Sequence, residues 1–132
     1  MLEQKIQQHF IDSADLKYQS AQGLEAPISA AVHAMVACIT GGGKILACGA
    51  GVSAAQAQMF AALCVGGFER DRPELAALAL GSDAGYLGHG IQPSVHYLAR
   101  QVRALGQAGD VLLLLSVGGN EASLQEALDA AH

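Results

Sequence analysis

Three short apolar runs constrain the fold of this chain more than any other feature of its sequence. They read KILACG (44–49), LAALAL (75–80) and VLLLLS (111–116). An apolar run of this length, bounded by glycine or polar turn residues, is typical of a strand that is buried on both faces of a parallel sheet. The second run also fits a helix, because alanine and leucine favour that conformation.

Apolar residues at helical spacing fill the segments around these runs. The predicted helices cover residues 2–20, 27–40, 53–66, 94–105 and 121–132. The resulting order, α-α-β-α-β-α-β-α, predicts an α/β fold, a three-layer parallel sheet with helices on both faces. At 132 residues the chain fits a single domain, with an N-terminal helical pair at 2–40 and an α/β part at 44–132.

Composition and charge exclude several classes of function. The net charge is −5 and the seven basic residues are scattered, which gives no footprint for direct nucleic-acid binding. The three cysteines show no CxxC spacing, so we expect reduced thiols and neither a metal nor a cofactor. The N-terminus lacks the continuous hydrophobic stretch of a signal peptide, and no unbroken apolar run reaches the ~20 residues that span a bilayer. These features predict a cytoplasmic protein without membrane contact.

Two glycine-rich loops follow the first and third predicted strands. They read GAGVS (49–53) and SVGGN (116–120), and each precedes a predicted helix. Unpaired N–H groups and the helix dipole attract phosphate at such places, which lie at the carboxyl edge of a parallel sheet. The first loop lacks the Gly-Lys-Ser/Thr ending of a Walker loop and, at Ala54, the third glycine of a dinucleotide-binding loop. A plain strand-to-helix turn explains the first loop equally well.

The segments around these loops resemble the SIS (sugar isomerase) domain family. The resemblance lies in GGGKILACGAGVSAAQAQMF, FERDRPELAALAL and QVRALGQAGDVLLLLSVGGN, and it indicates the subgroup of the phosphoheptose isomerases and the DnaA initiator-associating protein. It implies a flavodoxin-like topology with five parallel strands, a phosphosugar cleft, and a homodimer or homotetramer formed through the N-terminal helices. The sequence ends at His132, before the family's last strands, so we expect a fragment or a shortened member. We also expect that oligomerisation or further structure covers its apolar sheet edge.

The resemblance assigns a degenerate phosphosugar site to the two loops and the segment after the second strand. Ser53 is expected either to donate its hydroxyl to a phosphate or to cap the following helix, and Asp83 either to orient a sugar hydroxyl or to form a turn. Ala50 replaces a family asparagine, and Glu121 places a carboxylate where the family has a phosphate-binding serine. The expected ligand-binding residues are Gly49, Gly51, Ser53, Asp83, Ser116, Gly119 and Asn120.

The positions of the family's proton-transfer and metal-binding side chains hold Met59 and Leu63 in this chain. Neither side chain transfers a proton or binds zinc, so no catalytic residue is expected. The histidines are not expected to replace them; they are His9, His33, His89, His96 and His132.

The replacement of family ligand-binding and proton-transfer residues favours a non-catalytic SIS domain that acts through protein contacts. In this interpretation the chain resembles the DnaA initiator-associating protein, and its partner is the replication initiator. The run QVRALGQAGDVLL (101–113) favours this branch of the family. Two alternatives remain open. One is a phosphoheptose isomerase that acts on sedoheptulose 7-phosphate, and the other is a regulatory domain that senses a sugar phosphate.

Overall fold

The computed structural model of the chain describes residues 1–81 and 95–132. The chain divides into two compact units, residues 1–34 and residues 35–132, and the second unit contains the sheet. In chain order the elements are α1 (Leu2–Thr40), β1 (Ile45–Gly49), α2 (Ser53–Gly66), β2 (Ala77–Ala79), α3 (Tyr97–Leu105), β3 (Val111–Leu115) and α4 (Ala122–Ala131).

One 39-residue helix, α1, stands where the sequence predicts two helices. Pro27 lies inside α1, where proline removes one backbone hydrogen bond and crowds the carbonyl group four residues earlier. That carbonyl belongs to Gly23, and the residues between the two are mostly strong helix formers. Because their propensity carries the helix past the proline, the break predicted near residue 20 does not occur.

Most large apolar side chains of α1 are exposed. An 18-residue window of the helix has a mean hydropathy of 1.4 and at most two charged residues, so by length and composition alone α1 could cross a membrane. Small and polar residues interrupt the apolar run of this segment, so no membrane span was predicted from the sequence. Core helices of soluble proteins and signal sequences share this length and composition, so these features alone do not make α1 a membrane span. The exposed side chains are Leu2, Ile6, Phe10, Ile11, Leu16, Tyr18, Leu24, Ile28, Val32 and Val36.

The three strands form a parallel sheet in the order β2-β1-β3. Ile45 in β1 pairs with Ala77 on one side and with Val111 on the other, and Gly49 at the end of β1 pairs with Leu115. The two strands β1 and β3 therefore end level with each other. The loops that follow them begin side by side at the carboxyl edge of the sheet.

Helices cover both faces of the sheet, as the sequence predicts. On one face Leu46 and Cys48 of β1 pack against Leu98 and Val102 of α3 and against Leu124 of α4. Helix α2 contacts all three strands. Because alternate side chains of a strand point to opposite faces, α2 covers the face opposite to α3 and α4. The α/β fold class predicted from the apolar runs is thus confirmed.

Strand β3 forms one edge of the sheet. Its residues, VLLLL, are all partly exposed, whereas all five residues of the central strand β1 are buried. Within residues 1–81 and 95–132 no strand pairs with the outer side of β3. The apolar edge expected from the sequence is therefore present.

An ion pair ties the start of β1 to the turn before β3. Lys44 Nζ donates to Asp110 Oδ2 at 2.7 Å, and the Lys44 backbone N–H donates to Asp110 Oδ1 at 3.0 Å. The Gln107 backbone N–H also donates to Asp110 Oδ2, at 2.9 Å. Burial tends to raise the pKa of Asp110, but the hydrogen bonds from Lys44 and Gln107 and the lysine charge hold it below its usual value. The carboxylate thus fixes the start of the two neighbouring strands whose other ends carry the loops.

Candidate functional site

Strand β1 leads directly into the first glycine loop, and Gly49 occupies a position that has room only for glycine. A Cβ atom at Gly49 would lie 2.5 Å from the carbonyl carbon of Ser53 and 2.8 Å from its Cβ. The loop therefore folds back so tightly that the first residue of α2 packs against the last residue of β1. This close approach places the N-terminus of α2 at the carboxyl edge of the sheet.

The turn before α2 leaves two backbone N–H groups available. Gly51 is left-handed, with φ +59°, and Val52 is right-handed helical, with φ −64° and ψ −25°. Turns of this kind present successive N–H groups in a concave nest that binds anions. Among the described residues no hydrogen bond is found to the amides of Gly51 and Val52, whereas the amides of residues 53–55 bond to the carbonyls of residues 50–52. The first loop thus has two exposed donors at the positive end of a 14-residue helix.

Ser53 is the first residue of α2, and it is only 1% exposed. The N-cap residue is Val52, and no side chain caps the helix. The structure therefore excludes the capping role that the sequence left open for Ser53. Its role as a phosphate donor stays a prediction.

The second loop is organised around the side chain of Glu121. The Ser116 hydroxyl donates to Glu121 Oε2, and the Gly119 backbone N–H donates to Ser116 Oγ at 2.7 Å. Gly119 is left-handed, with φ +75°, and a Cβ at Gly118 would lie 2.8 Å from the Asn120 side-chain oxygen. The residues predicted for this loop are thus brought together, but around a carboxylate of the chain itself.

The surroundings of Glu121 favour the ionised form of its carboxyl group. The pKa of its carboxyl group is lowered, first by the Ser116 hydroxyl and then by the backbone N–H groups of Glu121, Asn120 and Gly118. The Ser116 hydroxyl donates a hydrogen bond to the ionised form and therefore stabilises it. From the sequence, the carboxylate was expected to replace a family serine, to satisfy the helix N-terminus as a first-turn acid, and to repel a dianion. Its partners in the loop become visible only in the structure.

Met59 and Leu63 both lie on α2, where they are 60% and 38% exposed. Neither side chain carries a titratable group, so the described part of this helix presents no acid or base at these positions. Within residues 1–81 and 95–132 no group of three histidine, cysteine or acidic side chains could hold a metal ion. Asp83 and His89, with the rest of segment 82–94, lie outside the described residues.

The parallel sheet carries two adjacent glycine loops at its carboxyl edge, the place where open α/β sheets bind their ligands. Comparison with known proteins identifies the family of this domain. The SIS domain matches residues 9–132, and the chain belongs to the SIS domain family. The resemblance found in the sequence is therefore confirmed.

Curated relatives and solved structures carry one common name. The phosphoheptose isomerase of Methylibium petroleiphilum is 56% identical, over all of this chain and 67% of the relative. That of Dechloromonas aromatica is 45% identical, over 97% of this chain and 66% of the relative. The structure of phosphoheptose isomerase from Neisseria gonorrhoeae covers the whole chain with a TM-score of 0.88 and 42% identity, over 70% of that protein. The chain thus spans about two thirds of the length of these curated relatives.

These comparisons correct the favoured functional interpretation of the sequence. The interpretation as a non-catalytic, initiator-associating protein is wrong, because the relatives at 43–56% identity and the matching structures are named phosphoheptose isomerases. The run QVRALGQAGDVLL had suggested the initiator-associating branch. In the structure its residues have packing roles: Val102 is buried, Gly109 is left-handed in the turn, and Asp110 pairs with Lys44. Such residues report on the shared fold and not on a partner protein.

Proposed function

We propose that this chain is the sugar-phosphate-binding part of a phosphoheptose isomerase and that its ligand is sedoheptulose 7-phosphate. The observation that carries the proposal is the pair of exposed, unpaired N–H groups of Gly51 and Val52 at the start of α2. The names of the relatives support the choice of ligand. The reaction would move a proton between C1 and C2 of the sugar while the phosphate stays bound.

The first loop supplies a phosphate anchor. Two adjacent unpaired N–H groups, together with the positive end of the α2 dipole, offer both hydrogen bonds and a favourable field to a dianion. Because β1 and β3 end level with each other, a sugar held by this anchor would lie next to the second loop. The anchor accounts for binding, and it takes no part in proton transfer.

Turnover needs a group that accepts a proton, and α2 does not supply one at Met59 or Leu63. This observation favours a second candidate, a domain that binds the sugar phosphate and senses it without converting it. The two candidates share the phosphate anchor. They differ only in whether bound sedoheptulose 7-phosphate is isomerised.

Calorimetric titration of the chain with sedoheptulose 7-phosphate, followed by an NMR assay of the ligand, tests the proposal. We expect saturable binding that unphosphorylated sedoheptulose does not show. Conversion to a heptose 7-phosphate would identify an isomerase, and binding without conversion would identify a sensor. If millimolar ligand releases no heat, neither candidate survives.

A pair of variants locates the binding site within the chain. Val52→Pro deletes the Val52 N–H at a φ of −64°, a value that proline also adopts, whereas Val52→Ala keeps the donor. A hydrogen bond to a charged group contributes about 1.5–3 kcal/mol, so we expect Val52→Pro to weaken binding about tenfold or more. Val52→Ala should bind within twofold of the wild type. Equal affinities for both variants would show that the phosphate does not bind at this loop.

We also propose that the chain associates with copies of itself through α1. Side chains such as Phe10 and Ile28, which are 70% and 56% exposed, would otherwise remain in contact with water. Light scattering coupled to size exclusion should give a mass of two or more chains. The double variant Phe10→Ser/Ile28→Ser should shift that mass toward one chain, whereas the exposed-site control Met59→Ser should not. A monomeric wild type at micromolar concentration would contradict this proposal.

A further inference from the structure

We propose that the Glu121 carboxylate occupies the position beside the Ser116 hydroxyl where a phosphate would bind in the second loop, here called the phosphate seat. It thereby sets the affinity of the site for phosphorylated ligands. This inference rests on the proposed sugar-phosphate function and adds a residue that controls it. The second loop holds an anion already, since Ser116 donates its hydroxyl to Glu121 Oε2 and is itself positioned by the Gly119 N–H at 2.7 Å. A phosphate oxygen would need the same hydroxyl.

The backbone of the loop supports the same arrangement. The N–H groups of Gly118, Asn120 and Glu121 help to lower the pKa of the carboxyl group, which favours its ionised form. The hydrogen bond to the carboxylate comes from the Ser116 hydroxyl. The carboxylate therefore occupies the Ser116 donor instead of leaving it free for a ligand.

Two anions cannot share this seat. At contact distance the repulsion between a carboxylate and a phosphate dianion is large enough to shift affinity by tenfold or more, even in a solvated site. The phosphorylated ligand must therefore displace Glu121 from the second loop, or bind at the first loop while the negative charge of Glu121 repels it. In either case Glu121 weakens binding.

The Glu121 carboxylate has no ion-pair partner among the described residues, so only neutral donors hold it. Glu121 also lines a half-open cavity of about 190 Å³ whose apolar wall includes Leu114, Leu124 and Leu128. Rotation of the side chain into this cavity would break the hydrogen bond to Ser116 but no ion pair.

The test compares Glu121→Gln with Glu126→Gln, which removes the same charge from the same helix outside the loop. We expect Glu121→Gln to bind inorganic phosphate and sedoheptulose 7-phosphate at least about tenfold more tightly than the wild type by calorimetry. Glu126→Gln should stay within twofold of the wild type. Without ligand, the amide resonances of Gly118 and Asn120 should shift in Glu121→Gln and not in Glu126→Gln.

The outcomes separate this inference from the proposed function. If the wild type binds sedoheptulose 7-phosphate and Glu121→Gln binds it equally well, the inference fails and the proposed function stands. If the amides of Gly118 and Asn120 do not shift in the unliganded variant, Glu121 does not occupy the seat, whatever the affinities are. If Glu121→Gln gains affinity for inorganic phosphate while neither protein binds the sugar phosphate, the inference holds and the proposed function fails.

Discussion

Replacement of Gly49 by alanine is expected to destabilise the chain by about 3 kcal/mol or more. The added Cβ would lie 2.5 Å from the carbonyl carbon of Ser53, closer than two nonbonded carbon atoms can approach. The obstacle is the backbone of α2 together with the Ser53 side chain, which is itself buried, so no flexible group can move aside. Relief requires α2 to shift away from β1. Both the sheet face that α2 covers and the first loop would be disturbed.

Urea unfolding followed by circular dichroism measures this effect, and Gly66→Ala is the matched control. No heavy atom lies within 4 Å of a Cβ added at Gly66, the last residue of the same helix. The control should therefore unfold within about 0.5 kcal/mol of the wild type, because an alanine in a helix is at least as favourable as a glycine. A Gly49→Ala variant as stable as Gly66→Ala would refute the close approach of β1 and α2.

Replacement of Asp110 by alanine is expected to destabilise the chain by about 2–3 kcal/mol. The Asp110 side chain is 8% exposed, and its loss leaves the Lys44 ammonium and the backbone N–H groups of Lys44 and Gln107 without their acceptor. Asp129→Ala is the control, because Asp129 is exposed near the C-terminus of α4, where a negative charge is unfavourable. That variant should be as stable as the wild type or slightly more stable. Equal destabilisation by both variants would contradict a structural role for Asp110.

The contribution of Asp110 should also depend on pH. Hydrogen bonds hold its pKa in the folded chain below the value of about 3.9 in the unfolded chain. Its stabilisation is therefore complete above about pH 5 and is lost progressively as the pH falls through the unfolded-state pKa toward the folded-state pKa. The difference in free energy of unfolding between the wild type and Asp110→Asn should shrink between pH 5 and pH 2. A difference that stays constant over this range would show that the ionised carboxylate does not stabilise the fold.

Much of the fold could be predicted from the sequence because its signals are local. The apolar runs at 44–49 and 111–116 predicted β1 and β3 nearly to the residue, and Gly66 and Gly67 marked the end of α2. The run at 75–80 gave only the three-residue strand β2, since just a few of its residues pair with β1. The break predicted in α1 failed for another reason. Proline disfavours a helix interior, but the sequence alone does not show how strongly the surrounding residues compensate.

The candidate site was less predictable, because its chemistry depends on contacts between residues whose side-chain directions the sequence does not give. The glycine spacing located both loops, yet it could not show that Val52, and not Ser53, is the N-cap residue of α2. Glu121 is an ordinary first-turn acid by its position, and only the structure shows that Ser116 donates to it. The functional branch was misjudged, since QVRALGQAGDVLL contains residues that the fold itself requires.

The hydrogen bond between Ser116 and Glu121 affects how the second loop can change during evolution. An anion-binding loop that needs its ligand to stay folded cannot lose affinity without losing structure. In this chain the Glu121 carboxylate accepts the hydrogen bond of Ser116, so this donor of the loop is held without a ligand. Mutations elsewhere in the site that weaken or redirect ligand binding leave this hydrogen bond in place. The domain can drift toward a new ligand, or toward none, while natural selection maintains the same architecture.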